Sequence, residues 1–114
     1  MSAPAVQQLS ADVGVAGQLD TAAMAWAAQA GFKSVINNRP DFEGGPDQPT
    51  SAGIEAAARA AGLAYAHLPV APSVQTPEQI AAFAQLLADL PKPILAFCRS
   101  GARSGKLYSA AVQG

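Results

Sequence analysis

The chain has 114 residues, 50% hydrophobic and 13% charged, with 7 Lys and Arg against 8 Asp and Glu and a net charge of -1. That size and balance suit one globular domain spanning 1–114 and exclude an electrostatic footprint for nucleic acid or an anionic membrane surface. One cysteine and one histidine exclude a disulfide framework and a multi-cysteine zinc cage, so neither a metal nor a cofactor is expected.

The start Met1-Ser2-Ala3-Pro4 lacks the basic-then-apolar layout of a signal peptide, and no apolar run approaches the roughly 20 residues of a membrane span. The expectation is a soluble, cytoplasmic chain whose thiol stays reduced. Short strands are predicted around Gln7 to Leu9 and Val13 to Ala16. Asp20 then caps a helix from Thr21 to Ala30 that stops at Gly31. Lys33 to Asn37 reads as a strand. The stretch from Asn38 to Pro49 carries Pro40, Pro46 and Pro49 with Gly44 and Gly45, and is therefore a loop. Structureless connections of about a dozen residues are uncommon in small domains and are often functional, which makes this loop a candidate wall of a site.

Thr50 or Ser51 starts a second helix that runs to about Ala61 and stops at Gly62, followed by a parallel strand over Leu63 to Leu68. After a loop from Val70 to Gln75, Thr76, Pro77 and Gln79 form a strong helix start, and that helix ends near Leu90. Ile94-Leu95-Ala96-Phe97 is short, apolar and continuous, as a central strand buried on both faces requires. A last helix begins near Arg103 and covers Leu107, Tyr108 and Val112. Helical stretches alternating with β-branched runs give an α/β fold with a mainly parallel central sheet flanked by helices. Trp26, Phe32, Phe83 and Phe97 are expected in the core.

Between the central strand and the last helix lies Cys98-Arg99-Ser100-Gly101-Ala102-Arg103-Ser104. Ligands in open parallel sheets bind outside the carboxyl ends of strands, where loop amides and a helix N-terminus present positive potential. A thiol there should be acidic, with Arg99 and Arg103 lowering its pKa from about 8.5. Gly101 turns the loop with its amides inward, Arg103 forks onto a tetrahedral anion, and Ser104 hydrogen-bonds the sulfur. Ser100 and Ala102 complete the anion-binding loop. Gly101 to Leu107 also looks like a nucleotide phosphate loop. It fails because its glycine spacing is one residue short and Leu107 stands where a hydroxyl would hold magnesium. Lys106 instead adds positive charge at the mouth of the cysteine site.

The cysteine loop resembles those of rhodanese-like sulfurtransferases and cysteine-dependent phosphatases. The phosphatase pattern has five residues between cysteine and arginine. Here Arg99, Ser100, Gly101 and Ala102 make four, a spacing typical of rhodaneses. Nearly the whole chain is similar to the phosphatase-like domain family of the beta-lactamase-hydrolase-like proteins. The similarity runs through Gly17-Gln18-Leu19, Val35-Ile36-Asn37-Asn38-Arg39-Pro40-Asp41 and Cys98 to Ser104. The resemblance implies a fold like the dual-specificity phosphatases with the cysteine loop at its centre. It also implies a chemistry named both phosphatase and sulfurtransferase, and a metallo-β-lactamase-type hydrolase as a partner.

Phosphatases of that fold protonate the leaving oxygen with an aspartic acid, and Val70 to Gln75, where this fold would offer it, contains no carboxylate. Asp41 or His67 is the substitute, each set against a plainer reading: Asp41 capping a turn, His67 as a hydrogen-bonded structural residue. Arg39 is either an ion-pair partner of Asp41 or Glu43 or a substrate-facing cation. The leading expectation is sulfane-sulfur transfer through a Cys98 persulfide, with a persulfide or thiosulfate as the small anionic substrate, because that reaction needs no strong general acid. The alternatives are a phosphatase-like hydrolase that acts on a phosphate ester through a cysteinyl-phosphate, and an inactive module that binds an anion or phosphopeptide.

Overall fold

A computed structural model describes residues 4–73 and 75–113. Residues 1–3, Val74 and Gly114, which belong to the expected start, the Val70 to Gln75 loop and the 1–114 span, lie outside the described residues. The elements in chain order are β1 (Val6–Gln8), β2 (Val13–Ala16), α1 (Thr21–Gln29), β3 (Ser34–Asn37), α2 (Ser51–Ala60), β4 (Ala64–His67), α3 (Pro77–Asp89), β5 (Ile94–Phe97) and α4 (Ala102–Gln113). They form a five-stranded sheet of order β1-β2-β5-β3-β4. Strands β2, β5, β3 and β4 run parallel, and β1 is added antiparallel at the β2 edge. The fold is thus a small α/β unit with a mostly parallel sheet, as the alternation of elements predicts.

The helix starts follow from local chemistry. Asp20 Oδ1 accepts from the Ala23 amide at 2.9 Å, and Thr50 Oγ1 accepts from the Gly53 amide at 3.1 Å. Thr76 and Gln79 complete a reciprocal capping box, each side chain accepting from the other's backbone amide. Helices α1 and α2 are stopped at Gly31 and Gly62, both with positive φ.

Strand period divides the core into two layers. Leu95 and Phe97 of β5, with Val35 and Ala16, face α1 and α2 and pack with Met24, Ala27, Ile54 and Ala58. Ile94 and Ala96, with Ile36 and Val15, face α3 and α4 and pack with Phe83 and Leu107. Strand β5 is therefore buried on both faces, which explains its unbroken apolar sequence. Trp26 lies at the margin of this core, half-buried, with its ring centroid 6.5 Å from that of Phe32. Among the described residues, no helix is long and apolar enough to cross a membrane.

This layering puts the carboxyl ends of β2, β5, β3 and β4 along one edge, with Cys98 directly after the middle strand. Because Leu95 is fully buried between neighbouring strands, Leu95→Ala is expected to cost about 2–5 kcal/mol of unfolding free energy. Val112→Ser, on an exposed face of α4, is expected to stay within about 0.5 kcal/mol of the parent. Urea denaturation of the two variants checks both values.

Candidate active site

The turn from β5 into α4 is held from below. The Cys98 amide donates to the Ala16 carbonyl at 3.3 Å, and the Gln18 amide donates to the Arg99 carbonyl at 3.2 Å. Gly101 has φ +93, and a Cβ there would sit 3.3 Å from the Ala16 backbone carbon, so both conformation and space demand glycine. The loop consequently closes around the sulfur, and the Gly101 amide donates to Cys98 Sγ at 3.0 Å.

Burial pushes the Cys98 thiol up, but the amides of Ser104, Ser100, Gly101 and Arg103 pull it further down. Its pKa comes to rest below the ordinary 9.0. The expectation of an acidic thiol holds, with the expected inward amides as its cause and no part played by the charges of Arg99 and Arg103. The role expected of Ser104 also shifts from side chain to backbone. Its hydroxyl donates to Asn38 Oδ1 at 2.8 Å, away from the sulfur, while its amide serves the thiolate.

Arg103 is buried at 8% exposure, and it is not left open for an anion on every side. Its two terminal nitrogens pair with Glu43 Oε2 and Oε1, each at 3.1 Å, and Nη1 also donates to the Val70 carbonyl at 3.0 Å. Nε is buried with no partner among the described residues. Arg39 joins from the other side, with Nε 2.9 Å from Glu43 Oε1 and Nη1 3.0 Å from Gln18 Oε1. One carboxylate thus bridges two arginines across the mouth of the loop. Burial pushes the Glu43 carboxyl up, but the hydrogen bonds and charges of Arg103 and Arg39 pull it further down, below the ordinary 4.5.

An open cleft of about 930 Å3 sits over these groups, with Cys98, Arg99, Ser100, Ala102 and Arg103 at its base and Arg39 and Glu43 on its wall. The long loop after β3 is a wall of the site, as its length suggests. Arg39 resolves as both an ion-pair partner and a cleft residue. The other secondary candidates are engaged elsewhere. Asp41 Oδ1 accepts from the Ser51 amide at 2.7 Å at the start of α2, and the ring nitrogen Nε2 of His67 bonds to the Arg39 carbonyl at 2.9 Å. Neither lines the cleft, and the expected roles of general acid go with them. Glu43, the one carboxylate among the described lining residues, is ionised and so holds no proton to give.

Two residues important to this geometry, Asn38 and Gln75, have no role assigned from the sequence, and a third, Glu43, is named there only as a partner of Arg39. Glu43 sits four positions after Arg39, a spacing that hints at their pairing but not at Arg103. Asn38 has its amide on the Phe97 carbonyl at 2.8 Å and its side chain on Leu68 and Ser104, which knits the ends of β3, β4 and α4 together. Gln75 Nε2 reaches the Arg103 carbonyl at 3.1 Å.

Two outcomes check this arrangement. Because the Glu43 pKa is lower folded than unfolded, the ion pairs contribute fully above about pH 4.5 and fade as pH falls through the lower folded value. Glu43→Gln is expected to lose about 1–3 kcal/mol at neutral pH and to show a shallower stability loss below pH 4.5, read by denaturant titration across pH. Iodoacetamide is expected to alkylate Cys98 with a midpoint clearly below 9.0, and a midpoint at or above that value would contradict the amide cradle.

Comparison with known proteins adds a lineage to this geometry. Residues 5–114 match the family model described as "Beta-lactamase hydrolase-like protein, phosphatase-like domain". A beta-lactamase hydrolase-like protein of Xylella fastidiosa is 40% identical over 95 residues, which cover 83% of this chain but only 22% of that protein. The structure of a candidate phosphatase from Neisseria meningitidis superposes with a TM-score of 0.82 at 33% identity, covering 89% of this chain and 71% of that one. A second candidate phosphatase, from Shewanella putrefaciens, gives 0.80 at 25% identity, covering 95% and 67%. The fold is that of the dual-specificity-like phosphatases. With a family match over nearly its full length and the cysteine loop at the centre of that fold, the chain belongs to the phosphatase-like domain family of the beta-lactamase hydrolase-like proteins.

Proposed function

We propose that this chain is a cysteine-dependent phosphatase that hydrolyses phosphate monoesters through a cysteinyl-phosphate. Sulfane-sulfur transfer, the leading expectation from the sequence, finds no support among the relatives, and the phosphatase alternative fits them better. The observation that carries the reading is the acidic Cys98 sulfur, held by loop amides, in a cleft that it shares with Arg103, whose Nε has no partner among the described residues. Such a cradle matches a phosphoryl group whose charge spreads over its equatorial oxygens in the transition state.

In the first step the Cys98 thiolate attacks phosphorus. An S–P bond forms, the ester P–O bond breaks, and the leaving oxygen takes its proton from water. In the second step water attacks phosphorus, the S–P bond breaks, and orthophosphate leaves with the thiolate restored. The loop amides and Arg103 Nε hold the phosphoryl oxygens throughout, while Glu43 keeps the guanidinium in place. The two arginines favour the ionised form of Glu43, and Asp41 lies outside the cleft on the Ser51 amide, so neither is assigned as the proton donor to the leaving group. The reaction therefore favours leaving groups that depart as anions.

General acid catalysis typically contributes about 10²–10⁴ in rate, so aryl phosphates are expected to outrun alkyl phosphates by roughly that factor in kcat/KM. Cys98→Ser should abolish phosphate release and the trapped phosphocysteine seen by intact mass. A second reading keeps one specific observation, the four-residue spacing between Cys98 and Arg103. In it the thiolate attacks the outer sulfur of thiosulfate, sulfite leaves as the S–S bond breaks, and a persulfide remains. A cyanide-removable gain of one sulfur atom, with no phosphate released from any ester, would overturn the phosphatase reading in its favour.

A further inference from the structure

The cationic side chains of this chain are unevenly placed. Four of its seven Lys and Arg residues, Arg39, Arg99, Arg103 and Lys106, line the cleft, against one of its eight carboxylates, Glu43. The cleft thus holds a surplus of three positive charges within a chain of net charge -1. Glu43 answers Arg39 and Arg103 directly, and with the loop amides they already suit one phosphoryl group. Arg99 and Lys106 are surplus to that need. Both are exposed, and neither side chain has a hydrogen bond or ion pair among the described residues.

Their placement gives the surplus a direction. Ala102, Arg103, Lys106 and Ala110 form one stripe along α4 that borders the cleft. At about 1.5 Å of rise per residue, Lys106 lies roughly 4.5 Å further along the helix than Arg103. No aromatic side chain is among the described lining residues, so nothing there stacks on a ring, and the recognition chemistry offered is charge. A cleft of about 930 Å3 also far exceeds what one phosphoryl group fills.

We infer that the cleft takes a small polyanion: a substrate whose second anionic group, about one helical turn from the scissile phosphoryl, is read by Lys106, with Arg99 adding positive charge to the same cleft. The inference rests on the phosphatase reading for the scissile group and adds the class of substrate. A second phosphate or carboxylate near two exposed cations gains a modest increment from each, which together make a clear preference.

The test titrates Cys98→Ser with orthophosphate, pyrophosphate and tripolyphosphate at fixed ionic strength, with Cys98→Ala as a second background should the serine variant misfold. The expected result is a preference of about tenfold for the polyanions over orthophosphate. Adding Lys106→Ala should reduce it to about twofold while leaving orthophosphate affinity nearly unchanged. Lys33→Ala removes the same charge at the far end of the sheet and should leave the preference intact. Equal affinity for all three anions, or a preference that Lys33→Ala lowers as much as Lys106→Ala, would overturn the inference. Turnover of p-nitrophenyl phosphate by the unsubstituted chain separates the two levels. Turnover without the preference defeats the second-anion site alone, and the preference without turnover defeats the phosphatase reading while the second-anion site stands.

Discussion

A guanidinium largely withdrawn from water needs a counter-charge, and Arg103 fixes much of this molecule by that need. Its partners come from two separate segments: Glu43 in the loop after β3, and the Val70 carbonyl beyond β4. Arg39 then closes on the same carboxylate and, through Gln18, returns to the exit of β2. Stripping one partner from such a buried group is costly, because the charge that remains is poorly solvated. The loop, two strand ends and the first turn of α4 are thereby held in one arrangement, and the cysteine loop is built inside it.

The acidity of the thiol has a different origin from the arginine network that surrounds it. The Gly101 amide at 3.0 Å from the sulfur, with the neighbouring loop amides, favours its charged form without mobile side chains, so the thiol is acidified by the backbone itself. The arginine, with its terminal nitrogens taken by Glu43, keeps one buried donor, Nε, without a partner among the described residues. Among the described lining residues, the cleft keeps no carboxylate outside this network. Its one carboxylate is committed to orienting a cation.

The fold was legible in the sequence wherever its causes are local. Asp20, Thr50 and Thr76 declare helix starts because a cap acts within three residues, and Ile94 to Phe97 declares a central strand because both of its faces are covered. The cysteine loop was equally plain, since its residues are contiguous. What stayed hidden was the choice of distant partners. Ser104 turned to Asn38, 66 positions away, instead of the adjacent sulfur, and Arg103 found Glu43 at a separation of 60. Asp41 and Glu43 differ by two positions in one loop, yet one caps α2 and the other faces the cleft. Only the path of the loop around Pro40 and Gly44 separates them, and a Cβ at Gly44 would press on the Arg39 guanidinium at 2.5 Å.

The long loop after β3 has the length of an active-site lid, but its attachments make it part of the frame. Segments that open and close over substrates are drawn from the least stable parts of a structure. Swinging this one outward would break the pair between Glu43 and Arg103 and release the Arg39 side chain from Gln18 Oε1 at 3.0 Å. The molecule therefore presents a standing receptacle rather than a gated one. The cleft stands open along α4, bordered there by Ala102, Arg103, Lys106 and Ala110.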